Sequence, residues 1–395
     1  MVHTAVKFNL IENKKFHLEL EKYSNDTEPV DASMGVLFES LTLDTNGKCY
    51  YPFFFREPFS LKDIEFCDLI APDHLQKLKD KEVTPLICMV SEGWPLLNFN
   101  SNKIFTNSPY FNVIKQLVKH GIREEDVVWL NCDKYIGKDP RIKAKFIHFD
   151  FFLEQQKVLE NKFLTLTKIK NKFLSLARGT PKHHRYAITY MLFKNNLFQH
   201  GAISCTDYKN FYYTEGLENT NEYISKLDEF NPVSFDQFKN MLPIEIDSKS
   251  KIVIPEHNSY QSPINLHQDG RDESHLFTNT FLNLVNESHQ QDNLVFITEK
   301  TYRSINYCRP FVINGDRGSL KYLKDMGFKT FDKFWDESYD EETSDHVRIK
   351  KIIDIVKHIT CRTESELLDL FKDMLPTLEH NYKVLKNYEQ WNKLN

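Results

Sequence analysis

The stretch FITEKTYRSINYCRPFVINGDRGSLKYLKDMGF, Phe296 to Phe328, alternates two apolar runs with two helix-like segments and almost no connecting chain. An apolar run over Leu294–Ile297 stops at Thr298, Glu299 and Lys300 follow at once, and a helix comes next. A second run, PFVING, then leads into a second helix, SLKYLKDMGF. Parallel strands need a crossover of a dozen or more residues, usually a helix. Strand, helix, strand at this spacing therefore predicts an α/β fold. It also raises a chemical question: why a carboxylate and an ammonium stand side by side between a buried strand and a helix.

The same rhythm extends through the chain. VTPLICMVSEGWP predicts a buried strand from Pro85 to Val90 ending in a Ser-Glu-Gly turn, and NSPYFNVIKQLVKHGI predicts a helix with Pro109 near its start and Gly121 as its stop. EDVVWLNCD and KFIHFDFFL read as strands. A second series opens near Lys172, with a strand over Phe173–Leu176, a polar loop over Ala177–Lys182, a helix over His183–Lys194 and a strand in GAISCTD. Residues 207–251 are polar and Asn-rich and carry no clear period. SHLFTNTFLNLVNES is compatible with helix then strand or with two strands, and from His346 to about Trp391 the pattern is helical. With 395 residues and 41% hydrophobic content the chain is too long for one ordinary domain and suits two of roughly 150–200 residues. The expected organisation is an N-terminal Rossmann-like domain over 1–165, a second over 166–375, and a helix over 376–395 returning to the first.

Formal net charge is −5, but Arg141–Lys194 holds twelve Lys and Arg against three acids, so one region is expected to attract anions. Seven scattered cysteines without a CxxC fit free thiols in a reducing compartment better than a disulfide framework. The N-terminus has no signal-like apolar region, and no apolar run reaches the roughly 18 residues a membrane span needs. A soluble, cytoplasmic protein without membrane partners is the expectation.

In open α/β sheets, ligands sit where strand ends meet helix starts, because unpaired N–H groups and the helix dipole favour anions there. SLARGTPKHHR places Arg178, Lys182, His183, His184 and Arg185 around such a junction, which suits a diphosphate; the plain alternative is a solvated basic loop. ITEKTYRSI places Glu299 and Lys300 on the first turn of a helix that Thr298 can cap. An N-terminal acid beside an exposed lysine is common. In a site, however, the carboxylate would accept ribose hydroxyls, the ammonium would meet a phosphate, and helix-start amides would complete the grip. No GxGxxG or GxxxxGK[ST] is present, which argues against dinucleotide and P-loop binding. Glu92, in MVSEGWP, is either a solvated turn residue or a general base whose pKa is raised by burial beside Trp94. The histidines lack HExxH or paired CxxC spacing, so no metal site is expected, and without GxSxG a hydrolase triad has no anchor. The aromatics Phe163, Phe173, Tyr190 and Phe193 of the basic segment read as core rather than as stacking platforms for nucleic acid.

The segment FITEKTYRSINYCRPFVINGDRGSLKYLKDMGFKTFDKFWDESYD resembles a glycosyltransferase-like family common in bacteriophages and giant viruses. More distantly it is similar to the donor-binding motif of α1,3-fucosyltransferases. NLVNES, with Glu287 and Ser288, corresponds to the acidic-Asn stretch before that motif. KFLSLARGTPKHHRYAITYML resembles the same family's strand–Arg–helix element, with Ala177 where an Asn is more usual. The resemblance covers about Lys172–Ile359. It implies a GT-B fold, two Rossmann-like domains facing across a cleft, and transfer of a sugar from a nucleotide donor (UDP- or GDP-linked) with no essential metal or other cofactor. It further implies donor binding by Ser288, Thr298, Glu299, Lys300, Arg178 and Arg185, with Glu92 as base. Phages glycosylate hydroxymethylated cytosine in their DNA. That acceptor is placed first, which would put the protein in the host cytoplasm, and a glycan or protein hydroxyl second. A non-catalytic binding protein that kept the nucleotide-sugar fold is the rival from another class.

Overall fold

The structure, a computed structural model, describes residues 9–10, 49–55, 65–89, 109–132, 140–154, 159, 161–177, 182–206, 214–246, 274–290 and 295–394. The chain divides into two compact units, the first comprising Met1–Gln155, Pro255–Arg271 and Trp391–Asn395 and the second Gln156–Ile254 and Asp272–Gln390. Each is built on a parallel sheet, so the α/β expectation holds in both halves.

Among the described residues the first unit has five strands: β1 (Asn9–Leu10), β2 (Cys49–Phe54), β3 (Val83–Met89), β4 (Val128–Asn131) and β5 (Lys145–His148). They lie side by side in chain order, all parallel. The register places Phe53 opposite Ile87, Ile87 opposite Trp129 and Trp129 opposite Phe146, giving one apolar row across the sheet. Two helices cover that face: α1 (Pro72–Lys79), with Pro72 at its first position, and α2 (Pro109–Lys119). Leu78 of α1 and Tyr110, Val113 and Leu117 of α2 join Phe53, Ile87 and Trp129 in one buried cluster. Trp129 stacks on Phe146 at 5.8 Å and lies 5.1 Å from Tyr110. Right-handed crossovers that always step the same way along a sheet fall on the same face, which is why both helices meet one row.

Among the described residues the second unit has four strands: β6 (Asn171–Ala177), β7 (Gly201–Cys205), β8 (Thr280–Asn286) and β9 (Phe311–Asn314). Their order is β7-β6-β8-β9, all parallel. The chain steps one way from β6 to β7 and the other way from β8 to β9. The crossover helices α3 (His183–Lys194), α4 (Thr214–Ser225), α5 (Pro232–Asn240), α6 (Ser274–Thr278) and α7 (Glu299–Asn306) therefore divide between the two faces. Side chains show the division: Asn283 of β8 bonds Ser304 of α7, while Asn286, three residues on and on the opposite face, is linked through Asn314 to the His184 carbonyl of α3. α8 (Ser319–Asp325), α9 (Asp345–Thr360) and α10 (Glu364–Leu394), the last as far as Gln390, complete the unit. α10 buries Leu367, Phe371, Met374, Leu378, Tyr382 and Leu385, a stripe at helical spacing, and continues through Pro376. Arg309 locks this region from within, donating to the carbonyls of Phe163, Phe277, Thr278 and Cys308 with its guanidinium over Phe371.

Two readings left open by the sequence are resolved and one local expectation changes. SHLFTNTFLNLVNES is helix then strand, α6 then β8. Of the residues expected as a strand before Thr298, Val295–Ile297 are buried and lie in no ladder among the described residues, Leu294 lies outside those residues, and β8 is the last described strand before α7. The segment from 207 to 251 contributes α4 and α5, the latter started by Asn231, whose side chain accepts from the Ser234 amide. No helix among the described residues is long and apolar enough to cross a membrane.

Candidate functional site

The reversal between β6 and β8 is a topological switch point, the place where an open parallel sheet leaves a crevice beyond its strand ends. Three buried polar side chains cross the sheet there. Asn286 Nδ2 donates to Ser175 Oγ of β6 at 3.0 Å, and Asn314 Nδ2 of β9 donates to Asn286 Oδ1 at 3.0 Å and to the His184 carbonyl of α3 at 3.2 Å. Apolar strands ending in Asn at paired positions, NLVN and FVIN, carry this network.

Beyond Asn286 stands Glu287, fully buried. Its Oε1 accepts from the Thr298 amide (3.2 Å) and the Thr301 hydroxyl (2.6 Å), and its Oε2 from the Thr298 hydroxyl (2.6 Å) and the Ser288 amide (3.3 Å). Its carbonyl accepts from His184 Nε2 (2.9 Å) and from Arg185 Nε and Nη2 (3.1 and 3.0 Å). One residue thus joins the N-termini of α3 and α7, which leave the sheet on opposite faces. Gly315 permits the fit: a Cβ there would stand 2.8 Å from Glu287 Cβ.

On that base sits the pair noted in the sequence. Thr298 caps α7, donating to Glu287 and accepting from the Lys300 amide (3.4 Å). Lys300 Nζ reaches Glu299 Oε1 (2.8 Å), Thr298 Oγ1 (3.1 Å) and Ser288 Oγ (3.2 Å), using all three of its protons. The lysine side chain is 27% exposed and the Glu299 side chain 14%, so the pair faces the edge of the unit rather than its core. Burial alone would raise the Glu299 carboxyl. The Lys300 and Arg303 charges and the Lys300 hydrogen bond outweigh it and hold the group at about 2. The surrounding histidines are held neutral: burial pushes His184 well below its usual range and His289 down to about 3, with Lys182, Arg185 and Lys300 adding to the effect on His289. His183, half-buried beside Thr220, is lowered by burial and by Lys182.

The structure therefore brings Ser288, Thr298, Glu299 and Lys300 together. Arg185 lies beneath them, buried, with Nε and Nη2 committed to the Glu287 carbonyl; burial lowers its pKa, opposed by the charges of Glu287 and Glu299. Glu92 and Arg178 lie outside the described residues. The helix-start amides are arranged differently from expectation, since Glu287 holds that of Thr298 and Thr298 holds that of Lys300. The N-terminal charge of α7 is already met by the protein's own carboxylate. Sequence reasoning reached Glu287 only through resemblance, weighed His289 only among the histidines considered for a metal, and did not reach Asn286 or Asn314. Among the described residues no group of three His, Cys, Asp or Glu is arranged to hold a metal ion. No family model matches the sequence, and no curated protein matches it.

Proposed function

We propose that the chain is a glycosyltransferase that moves a sugar from a nucleotide-sugar donor to an acceptor hydroxyl, its two units forming a GT-B arrangement with the C-terminal helix returning to the first. The observation that carries this reading is the Glu299–Lys300 pair, partly exposed, at the carboxyl edge of a sheet whose order reverses beside it. A carboxylate held ionised accepts hydroxyls, as a ribose would offer. The lysine exchanges its longest and uncharged contact, Ser288 Oγ at 3.2 Å, for a phosphate oxygen. Arg178 is assigned a second contact to the diphosphate, and Arg185 acts from beneath through its charge.

In the reaction the acceptor oxygen bonds to the anomeric carbon as the bond from that carbon to the phosphate oxygen breaks. Glu92 takes the acceptor proton, and the nucleoside diphosphate leaves against the charge of Lys300 and Arg178. Hydroxymethylcytosine in phage DNA is the first-placed acceptor, and a glycan or protein hydroxyl the second.

Calorimetry and thermal shift with UDP, GDP and their sugar conjugates test the donor. Micromolar binding with a raised melting temperature is expected, and a mass increase on hydroxymethylcytosine DNA would assign the acceptor. Donor binding without turnover on any acceptor would leave a nucleotide-sugar binding protein. Absence of binding by every nucleotide would end the reading.

A further inference from the structure

A second polar feature stands at the same sheet edge. Lys172 Nζ, at the start of β6, donates to the carbonyls of Thr360 and Arg362 at the C-terminal end of α9 (2.6 and 2.7 Å). α9 has 16 residues, about 24 Å at the helical rise, close to the length of seven-residue β6. The first turn of α9 therefore lies toward the carboxyl ends of the strands. Arg348 is in that part of the helix, 1% exposed. Its Nε donates to the Tyr339 carbonyl at 3.0 Å, while Nη1 and Nη2 are sealed from solvent and have no hydrogen-bond partner among the described residues.

Buried amino groups left without acceptors are rare and costly. Charge is not what this guanidinium lacks. Asp345 Oδ1 is 3.9 Å from Nη1, beyond hydrogen-bond reach, and Asp340 also lies within range of its charge. A third negative group would overbalance the cluster, whereas neutral oxygens would satisfy the donors. A hydroxyl fits best, because it accepts from the guanidinium and donates to the carboxylate in the same contact. We propose that Arg348 and Asp345 form a sugar-hydroxyl subsite, in which neighbouring hydroxyls of a donor sugar accept from Nη1 and Nη2 and one of them donates to Asp345.

The subsite is continuous with the nucleotide position and rests on the nucleotide-sugar reading. Gln290, two residues beyond Ser288, accepts from the Tyr223 hydroxyl at 2.7 Å, and the charges of Asp345 and Arg348 both act on that phenol. Asp345 is one-third exposed, so the pair reaches the surface on its side. Entry requires the first turn of α9 to shift from α4, where His346 Nε2 meets the Tyr223 carbonyl at 3.0 Å.

Calorimetry on the full chain with UDP and GDP, and with their glucose, galactose, mannose and fucose conjugates, tests this in the unaltered protein, Arg348→Met, Arg348→Lys and Asp345→Asn. The partly exposed Asp345 makes its variant the safeguard should Arg348→Met fail to fold. The best conjugate is expected to lose about tenfold or more in affinity in each variant, the size of a hydrogen bond to a charged group, while the bare nucleotide is held as before. Equal losses for nucleotide and conjugate would overturn the subsite and make the pair structural. Unchanged binding of both would leave only water to fill it, and would overturn it too. A conjugate held no better than its nucleotide by the unaltered chain removes the subsite and leaves nucleotide binding standing. No nucleotide binding by the unaltered chain removes both.

Discussion

The two sheets are both parallel, yet they differ in strand order and in what their interiors contain. In the first unit the order follows the chain, α1 and α2 pack on one face, and the centre is aromatic: Phe53, Tyr110 and Trp129, with Phe146 against them. In the second the order reverses between β6 and β8, helices depart on both faces, and buried polar residues gather toward the carboxyl ends of β6, β8 and β9: Ser175, Asn286 and Asn314, with Glu287 just beyond β8. A sheet that never reverses opens no crevice between described strands and can be filled with hydrocarbon. A sheet that reverses has a gap to bridge, and this one bridges it with hydrogen bonds. Asn131, at the end of β4 in the first unit, makes the contrast concrete: it donates to the Met89 carbonyl of the neighbouring strand. Asn286 and Asn314, at equivalent strand ends, pass hydrogen bonds across three strands to a helix.

The widest break of the comparison comes from one deletion in each interior. Trp129→Ala removes the ring at the middle of the apolar row and is expected to cost about 3–5 kcal/mol as a cavity. Glu287→Ala removes a carboxylate that serves four donors and is expected to cost a similar amount, roughly 3–5 kcal/mol, as orphaned polar groups. Chemical denaturation measures both, and the variants separate on rescue. A smaller apolar ring, Trp129→Phe, should recover much of the first loss. Glu287→Gln should recover little of the second, because the amide brings another donor to a place filled with donors.

Acid sharpens the difference next. His184 and His289 are neutral in the folded second unit, with His289 at about 3, whereas an unfolded histidine titrates near 6.5. Between those values the unfolded chain binds protons that the folded chain refuses, so stability falls as pH falls below about 6.5. For His289 the loss is about 2 kcal/mol by pH 5. Glu299 has the same sign in a lower window: its contribution is whole above an unfolded value of about 4.5 and disappears as pH falls toward about 2. Equilibrium unfolding at pH 7, 6 and 5 should show a decline that His289→Gln lessens, and a flat profile would remove the neutral assignment.

Much of this arrangement was legible in the residues. Short apolar runs marked β3, β4, β6, β7 and β9, and Thr298-Glu299-Lys300 marked the start of α7, because strand burial and helix capping are local properties. Strand order is not local. Nothing in Val295–Ile297 says that these residues pair with no described strand, or that β8 is the described strand that feeds α7. Glu287 was hidden for the same reason: an acid after a strand reads as solvated until Thr298 and Thr301, more than ten residues later, are folded onto it. The paired Asn endings of NLVN and FVIN were a usable sign, since an amide ending a buried run needs a partner.

Gly315→Ala tests the closeness of the polar junction at smaller scale. The added methyl would meet Glu287 Cβ at 2.8 Å, so the junction has to spread, at a cost of about 1–3 kcal/mol by denaturation. Neutral behaviour would mean that Glu287 is less tightly seated than its hydrogen bonds indicate.

Lys300→Ala should change stability least and function most. Its ammonium is 27% exposed and its ion pair is with the adjacent residue, so its removal costs less than about 1 kcal/mol of folding free energy. Thr298 keeps its hydrogen bond to Glu287, and the cap of α7 survives. A nucleoside diphosphate would lose its charged partner, with an expected weakening of about tenfold or more. Denaturation and calorimetry on the same preparation read both quantities. Ser288→Ala is the control, because its hydroxyl is the contact a phosphate replaces and its loss should leave affinity nearly unchanged. If Lys300→Ala instead destabilised the fold as Glu287→Ala does, with no selective loss of nucleotide, the pair at the start of α7 would belong to the bridge beneath it, and the polar half of the molecule would be built for stability alone.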